Sequence, residues 1–533
     1  MNTKTTRTGF IFVAVLSIGL SGFQGAFAVG KPRTADASEF EKREKDWRNG
    51  ALVYQVLVDR FAPSADLQAK SQLYAPPKQL RQWDEVPRAG AYLEDAKVWS
   101  HEIDFWGGDL KSLRSKLDYI NGLGIDVLYL NPIHSGFTNH KYDSLDFETV
   151  SPEFGQPEDV GRLADDLHGF GMKLVLDGVF NHMGRNSEKF QQALNNPESE
   201  YRDWFFFGDQ YPGGVRVWAQ ATNLPELNLE NRDVQKHIYS GRQSVVQQYL
   251  KQGADGWRLD VAYDIGYDIL NDLTSKAHKA KPGSLVVGEI WNYPAAWFPS
   301  LDGVMNFTAR EIIWRLVLGK LDPKIAGEML DRMISDAGIG PMLKSWMVLD
   351  NHDTPRLKNM MPETWQQQMA QVLQFTLPGS PNLYYGVELG MTGGGDPEMR
   401  APMRWDLVND SNDTLAWTKK LIEIRKQQRA LKVGNFRLVT SDQLLAFERY
   451  TDRVEDTVIV VLNPTDHTVS ESILTANSSL MNWTTMSNLS GPLEETIFVK
   501  SAMLHLKVDA RSFMILKPDV QAKGGYTPYK RVP

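Results

Sequence analysis

Short apolar runs of strand length recur along the chain at 51–58, 126–130, 173–177, 256–260, 285–290, 303–307, 346–349 and 382–385. Each is separated from the next by a segment long enough for a helix, and several of these segments carry helical spacing. Apolar residues in 110–123 repeat at that spacing and stop at Gly122 and Gly124, and comparable patterns cover 159–170 and 234–252. Strands that are apolar on both faces and alternate with helices predict a parallel sheet covered by helices, an α/β fold. Eight such units, with no glycine-rich phosphate-binding turn after the first strand, favour a closed (β/α)8 TIM barrel over an open doubly wound sheet. The barrel is expected over 51–430, after a polar lead-in at 29–50.

Three stretches break the rhythm. Residues 62–100 hold proline pairs and little periodicity, and read as a long loop. The interval after the third strand is too long for a simple connection and contains Trp204-Phe205-Phe206-Phe207 and Gly213-Gly214, so 183–231 is expected to be an inserted subdomain over the barrel mouth. Beyond residue 430 the pattern becomes short β-type runs at 444–449, 458–462 and 502–508, which predicts a C-terminal antiparallel β-sandwich over 433–519. The tail 520–533 suggests no role.

Composition narrows the function classes. The net charge of −8 argues against nucleic acid or an anionic membrane as partner. Fifteen Trp and eighteen Tyr suit a protein that stacks sugar faces, and equally a large aromatic core. With no Cys, disulfides and thiolate metal sites are excluded. Lys4 and Arg7, the apolar run 9–23 and Ala26-Phe27-Ala28 read as a signal peptide over 1–28, predicting a secreted or periplasmic protein whose mature form has no membrane segment. The apolar run is shorter than the roughly 20 residues of a membrane span. Oligomeric state is left open.

In a parallel barrel, polar residues at the C-terminal strand ends gather round one mouth. Here those ends are Asp177 with Asn181 and His182, Arg258 with Asp260, Glu289 with Trp291, and Asn351-His352-Asp353. Singly each has a plain structural reading, such as a helix cap, a core histidine or a rim ion pair. Together they place several acids at one site, which is costly unless chemistry uses them. Clustered carboxyls with one arginine and no cofactor motif are what retaining glycosidic cleavage needs: an ionised acid to attack the sugar and a protonated one to donate to the leaving oxygen. Arg258 and Asp260 share a strand face, so the guanidinium is expected to keep Asp260 ionised. Glu289, with no adjacent cation in sequence, is expected to be the proton donor.

These motifs, Asp177-Gly-Val-Phe-Asn-His182, Gly256-Trp-Arg-Leu-Asp260, Gly288-Glu-Ile-Trp291 and Asp350-Asn-His-Asp353, resemble in order the four signature regions of the α-amylase family, glycoside hydrolase family thirteen. The likeness extends to 108–110, 139–143, 224–228 and 396–405. It implies Asp260 as nucleophile, Glu289 as general acid/base and Asp353 as the acid that grips sugar hydroxyls. It also implies that His182 and His352 bond the sugar, that Tyr142 stacks beneath it, that His140, Asp177 and Arg258 complete the pocket, and that Asp396 and Arg400 contact the next sugar or form a loop salt bridge. The substrate implied is an α-1,4-glucan or maltooligosaccharide. Segments 139–143 and 393–405 look like the neopullulanase and cyclomaltodextrinase branch, although those relatives usually carry an N-terminal β-domain and only the short lead-in 29–50 precedes the first strand here. Cyclodextrin opening, exo-acting α-glucosidase activity, transglycosylation and an inactive sugar-binding relative stay as alternatives. No cofactor is required for this chemistry. Asn181 matches a common calcium-ligand position and Asn228 a candidate for another, but Val261-Ala262-Tyr263-Asp264 replaces the Lys-His pair that supports calcium in many relatives, which argues against Ca2+.

Overall fold

A computed structural model describes residues 37–520. The expected leader at 1–28 and nearly all of the tail lie outside the described residues. Eight parallel strands close into a barrel: β1 (Val53–Val56), β2 (Val127–Leu130), β3 (Lys173–Gly178), β4 (Gly256–Leu259), β5 (Leu285–Ile290), β6 (Gly303–Asn306), β7 (Trp346–Val348) and β8 (Ser380–Tyr384). Each pairs with its sequence neighbour, and β1 pairs with β8 to complete the ring.

Alternation along the strands sorts their side chains into two compartments. Val53, Val127, Tyr129, Val175, Val287, Met305, Trp346 and Val348 point inward and fill the lower barrel. The intervening residues, such as Leu128, Leu174, Leu176, Trp257 and Val286, pack outward against the helices. Because both faces are covered, the strands read as largely apolar runs. Near the C-terminal ends the inward set turns polar: Gln55, Asp177, Arg258 and Glu289 are all buried.

The insertion at 183–231 carries one regular helix, Glu188–Asn195, and otherwise short turns. The C-terminal domain is a six-stranded antiparallel sheet facing a two-stranded one, Val469–Leu474 with Met503–Val508. Strand Val458–Asn463 shows how the domain joins the barrel. Val458, Val460 and Leu462 pack into the helix layer of the barrel, while Ile459 and Val461 pack into the core of the sandwich.

Two readings of the sequence need correction. Segment 62–100 is not structureless: it forms a 3-10 helix, Leu67–Tyr74, and a small hairpin of Tyr92–Leu93 with Val98–Trp99. Two-residue strands are too short to leave a period in sequence. The helix expected over 234–252 is broken, with Arg232–Gln235 running into a π turn, Lys236–Ser240, before Val245–Lys251. Five sandwich strands, among them Asn435–Val439 and Ser512–Pro518, also went unpredicted. No helix among the described residues is long and apolar enough to cross a membrane.

Candidate active site

The polar layer at the barrel mouth is built on Arg258. In β4 it lies directly opposite Asp177 of β3, and its Nη1 donates to both Asp177 oxygens at 2.8 and 2.9 Å. The same nitrogen reaches Asp260 Oδ1 at 3.1 Å, as expected for two residues on one strand face. Arg258 Nη2 lies 2.7 Å from Glu289 Oε2. One fully buried guanidinium therefore touches three carboxyl groups.

This geometry corrects two expectations. Glu289 does have an adjacent cation, because β5 neighbours β4 and brings its carboxyl to the far side of the same guanidinium. Nor does Arg258 alone set the charge of Asp260. Burial pushes that carboxyl well above its ordinary range against the pull of Arg258, and the negative charges of Glu289, Asp177 and Asp353 push the same way. Asp177, on the other side of the same guanidinium, is likewise pushed up by burial against the pull of Arg258.

Glu289 is held from both ends. Trp291 Nε1 donates to Oε1 at 2.8 Å and the backbone N–H of Val261 donates to Oε2 at 3.1 Å. Val261 adopts φ 39°, a left-handed conformation that a β-branched residue rarely takes. Such strain persists where the surroundings fix it, and here it turns the N–H following Asp260 toward the second acid. The sequence offered no signal for this beyond the unusual residues after Asp260.

The other expected residues converge. Tyr142 stacks on His352 with ring centroids 5.1 Å apart and planes within 3°, and its hydroxyl donates to Asp177 Oδ2 at 2.8 Å. Tyr129, missed in sequence although its inward position follows from strand alternation, donates to the same oxygen at 2.6 Å. Gln55 and Asn131 donate to His352 Nδ1 at 3.0 and 3.1 Å, so Nε2 carries the proton and faces Asp353 Oδ2 at 3.0 Å. Burial drives His352 well below its usual range and His182 down to about 4, so both are neutral imidazoles. His182 Nε2 donates to the Tyr142 carbonyl at 3.1 Å. His140 accepts the Tyr142 N–H at Nδ1 and so presents Nε2–H to Glu102 at 3.2 Å. Asp353 is also held by Arg400 Nη2 at 3.2 Å, and Arg400 reaches Asp396 at 3.5 Å.

A cleft of about 660 Å³ opens over these groups, lined by Asp260, Glu289, Asp353, His140, Tyr142, His182, His352, Asp396 and Arg400. Asp177 and Arg258 do not line it. They lie beneath its floor with fully buried side chains, so they hold the groups that face the cleft.

The model of the alpha-amylase catalytic domain matches residues 55–411. The chain belongs to the alpha-amylase family. Among its relatives, neopullulanase 2 of Thermoactinomyces vulgaris is 32% identical over 78% of this chain and 70% of its own. A cyclomaltodextrinase of Thermoanaerobacter pseudethanolicus is also 32% identical, over 78% of this chain and 71% of its own. A solved structure of cyclic alpha-maltosyl-(1→6)-maltose hydrolase from Arthrobacter globiformis superposes with a TM-score of 0.74 at 26% identity, covering 89% of this chain and 99% of that one. The chain is thus a glycoside hydrolase of the alpha-amylase type on a (β/α)8 barrel.

Asn181 and Asn228 lie on adjoining segments, with the Leu227 N–H bonded to the Asn181 carbonyl at 2.9 Å and the Asn228 side-chain nitrogen donating to the Asp203 carbonyl at 3.1 Å. Calcium takes six to eight oxygens, carboxylates among them. Among the described residues no three acidic or imidazole groups converge as a metal site.

Proposed function

We propose that the protein hydrolyses α-1,4-glucosidic bonds in starch-type glucans or maltooligosaccharides with retention of configuration. The observation that carries this reading is the single guanidinium of Arg258 shared by Asp177, Asp260 and Glu289 at the mouth of the barrel. Two carboxyls gripped by one guanidinium suit the close spacing of about 5 to 5.5 Å that a nucleophile and an acid need, rather than the wider gap that admits water.

In this reading a glucosyl ring rests against Tyr142. Asp260 attacks C1 and forms a glycosyl ester as the bond from C1 to the leaving oxygen breaks, and Glu289 gives its proton to that oxygen. Water then gives a proton back to Glu289 while its oxygen attacks C1, and the ester opens to release Asp260. Asp353, oriented by His352 and Arg400, bonds sugar hydroxyls and tightens as positive charge builds on the ring. The neutral His182 and His352 add hydrogen bonds without adding charge, while Asp396 and Arg400 meet the neighbouring sugar. No metal takes part in either step. Because the ester can be opened by a sugar hydroxyl as well as by water, some transglycosylation accompanies hydrolysis.

The likeness to a neopullulanase and a cyclomaltodextrinase favours a second reading, in which cyclodextrins or pullulan are the better substrates. Incubation with starch, cyclodextrins, pullulan and maltose, with products followed over time, separates the two. Cleavage of none of them removes the hydrolase reading. Export to the periplasm or medium belongs to the same proposal and rests on the leader pattern at 1–28, whereas one relative is named an intracellular maltogenic amylase of Bacillus subtilis. The N-terminal residue of the protein recovered from its host tests it, with a start just after Ala28 expected.

A further inference from the structure

The hairpin that the sequence reading missed reaches across the cleft. Its first strand carries Tyr92 and its second Trp99, whose rings meet edge to face at 5.5 Å. Tyr92 Oη lies 3.2 Å from Thr222 Oγ1, on the loop that the inserted subdomain extends over the opposite wall. That loop holds two consecutive non-glycine residues at positive φ, Ala219 at 45° and Gln220 at 66°. It is braced at Trp218, whose indole stacks on His182 at 5.6 Å and donates to Asp264 at 3.0 Å. With these two hydroxyls 3.2 Å apart, no sugar ring passes between them.

The position of this bridge is fixed by a train of contacts. Asp353 binds Arg400 and Arg400 binds Asp396. Asp396 lies 3.5 Å from His101, and His101 stacks on Trp99 at 6.2 Å. The hairpin is therefore at the end of the cleft that begins with Asp353. Glu289 stands toward the other end, where Trp291 is 45% exposed. The acid that protonates the leaving oxygen lies on the leaving-group side, so the bridged end receives the sugar whose C1 is attacked, together with whatever precedes it toward the non-reducing terminus.

We infer that the Tyr92–Trp99 hairpin, joined to Thr222, closes the non-reducing end of the cleft, so that the enzyme attacks chain ends and releases short products of fixed size from the non-reducing terminus. This rests on the hydrolase reading above and deepens it. A long glucan can leave through the open side of Glu289 but cannot thread past the hairpin.

The test uses two chromogenic maltooligosaccharides of equal length, one with a free non-reducing terminus and one capped there by a ketal. The wild-type protein is expected to cleave the free substrate and to leave the capped one at least tenfold slower. A variant in which 92–98 is replaced by two glycines, and the milder double variant Tyr92→Ala with Trp99→Ala, are both expected to narrow that ratio and to yield mixed products from amylose. Equal rates on the two substrates with wild-type protein overturn the inference and leave the hydrolase reading standing. An unchanged ratio in both folded variants overturns the role of the hairpin. Failure to cleave either substrate removes the hydrolase reading and this inference with it.

Discussion

Two ends of the same barrel bury arginine in opposite ways. At the mouth, Arg258 is surrounded by carboxyl groups. Burial works against its charge, but Asp177 and Glu289 hold its proton well above the usual range. At the floor, Arg425 finds no carboxylate within bonding distance and donates to the backbone carbonyls of Gly50, Phe375 and Gly379. Burial brings it down to about 9. Arg449, from the sandwich, does the same with the carbonyls of Thr376, Gly434 and Asn435. The floor arginines clasp backbone carbonyls, and Arg449, through Thr376, ties the C-terminal domain to the barrel. The mouth arginine gathers acids that would otherwise repel one another. Burial alone thus says little about purpose, and the partners decide it.

The sharpest way to break this contrast is at Asp260. Asp260→Asn is expected to lower kcat by several orders of magnitude with the fold retained, measured on maltooligosaccharides. It also carries a stability sign. A carboxyl whose folded pKa lies above its unfolded value of about 3.9 contributes stability below that value and loses it as pH rises through the folded pKa. At neutral pH Asp260 is a liability, and the Asn variant is expected to melt no lower than wild type, and higher if the acid is largely ionised. The same shift puts the acid limb of kcat/KM above the ordinary aspartate range, because the nucleophile works only when ionised.

The mirror experiment is at the floor. Arg425→Met leaves three carbonyls without a donor, at roughly 1–3 kcal/mol each, so the melting temperature is expected to fall by several degrees while kcat of the folded fraction stays unchanged. An equal loss of kcat and stability there would erase the distinction between the two ends. Removing Trp291 is a finer probe. Trp291→Phe deletes the indole donor to Glu289 Oε1, and a fall in kcat of about tenfold is expected. The smallest effect concerns metal: treatment with a chelator should leave both kcat and melting temperature where they were, since no three acidic or imidazole groups converge as a metal site among the described residues.

The barrel was legible because parallel strands covered on both faces leave largely apolar runs, and all eight strands were visible as such. The strand-end motifs were legible for the same reason, since each closes a run. What stayed hidden depends on contacts between segments far apart in sequence. Glu289 gained its cation from a strand thirty-one positions earlier, through barrel closure rather than local spacing. The Tyr92–Trp99 hairpin is defined by two paired residues on each side, and its meaning comes from Thr222 in another subdomain. Val261 could not be recognised as strained without its backbone angles.

The central claim, that Asp260 is the nucleophile of a retaining reaction gathered round Arg258, is tested most directly by labelling. The protein is incubated with a fluorinated α-glucosyl fluoride that forms the ester faster than water opens it, digested, and mapped by mass spectrometry. The account predicts one glucosyl adduct, on the peptide bearing Asp260. An adduct on Glu289 or Asp353, or turnover of the fluoride to inverted product with no adduct, would contradict it.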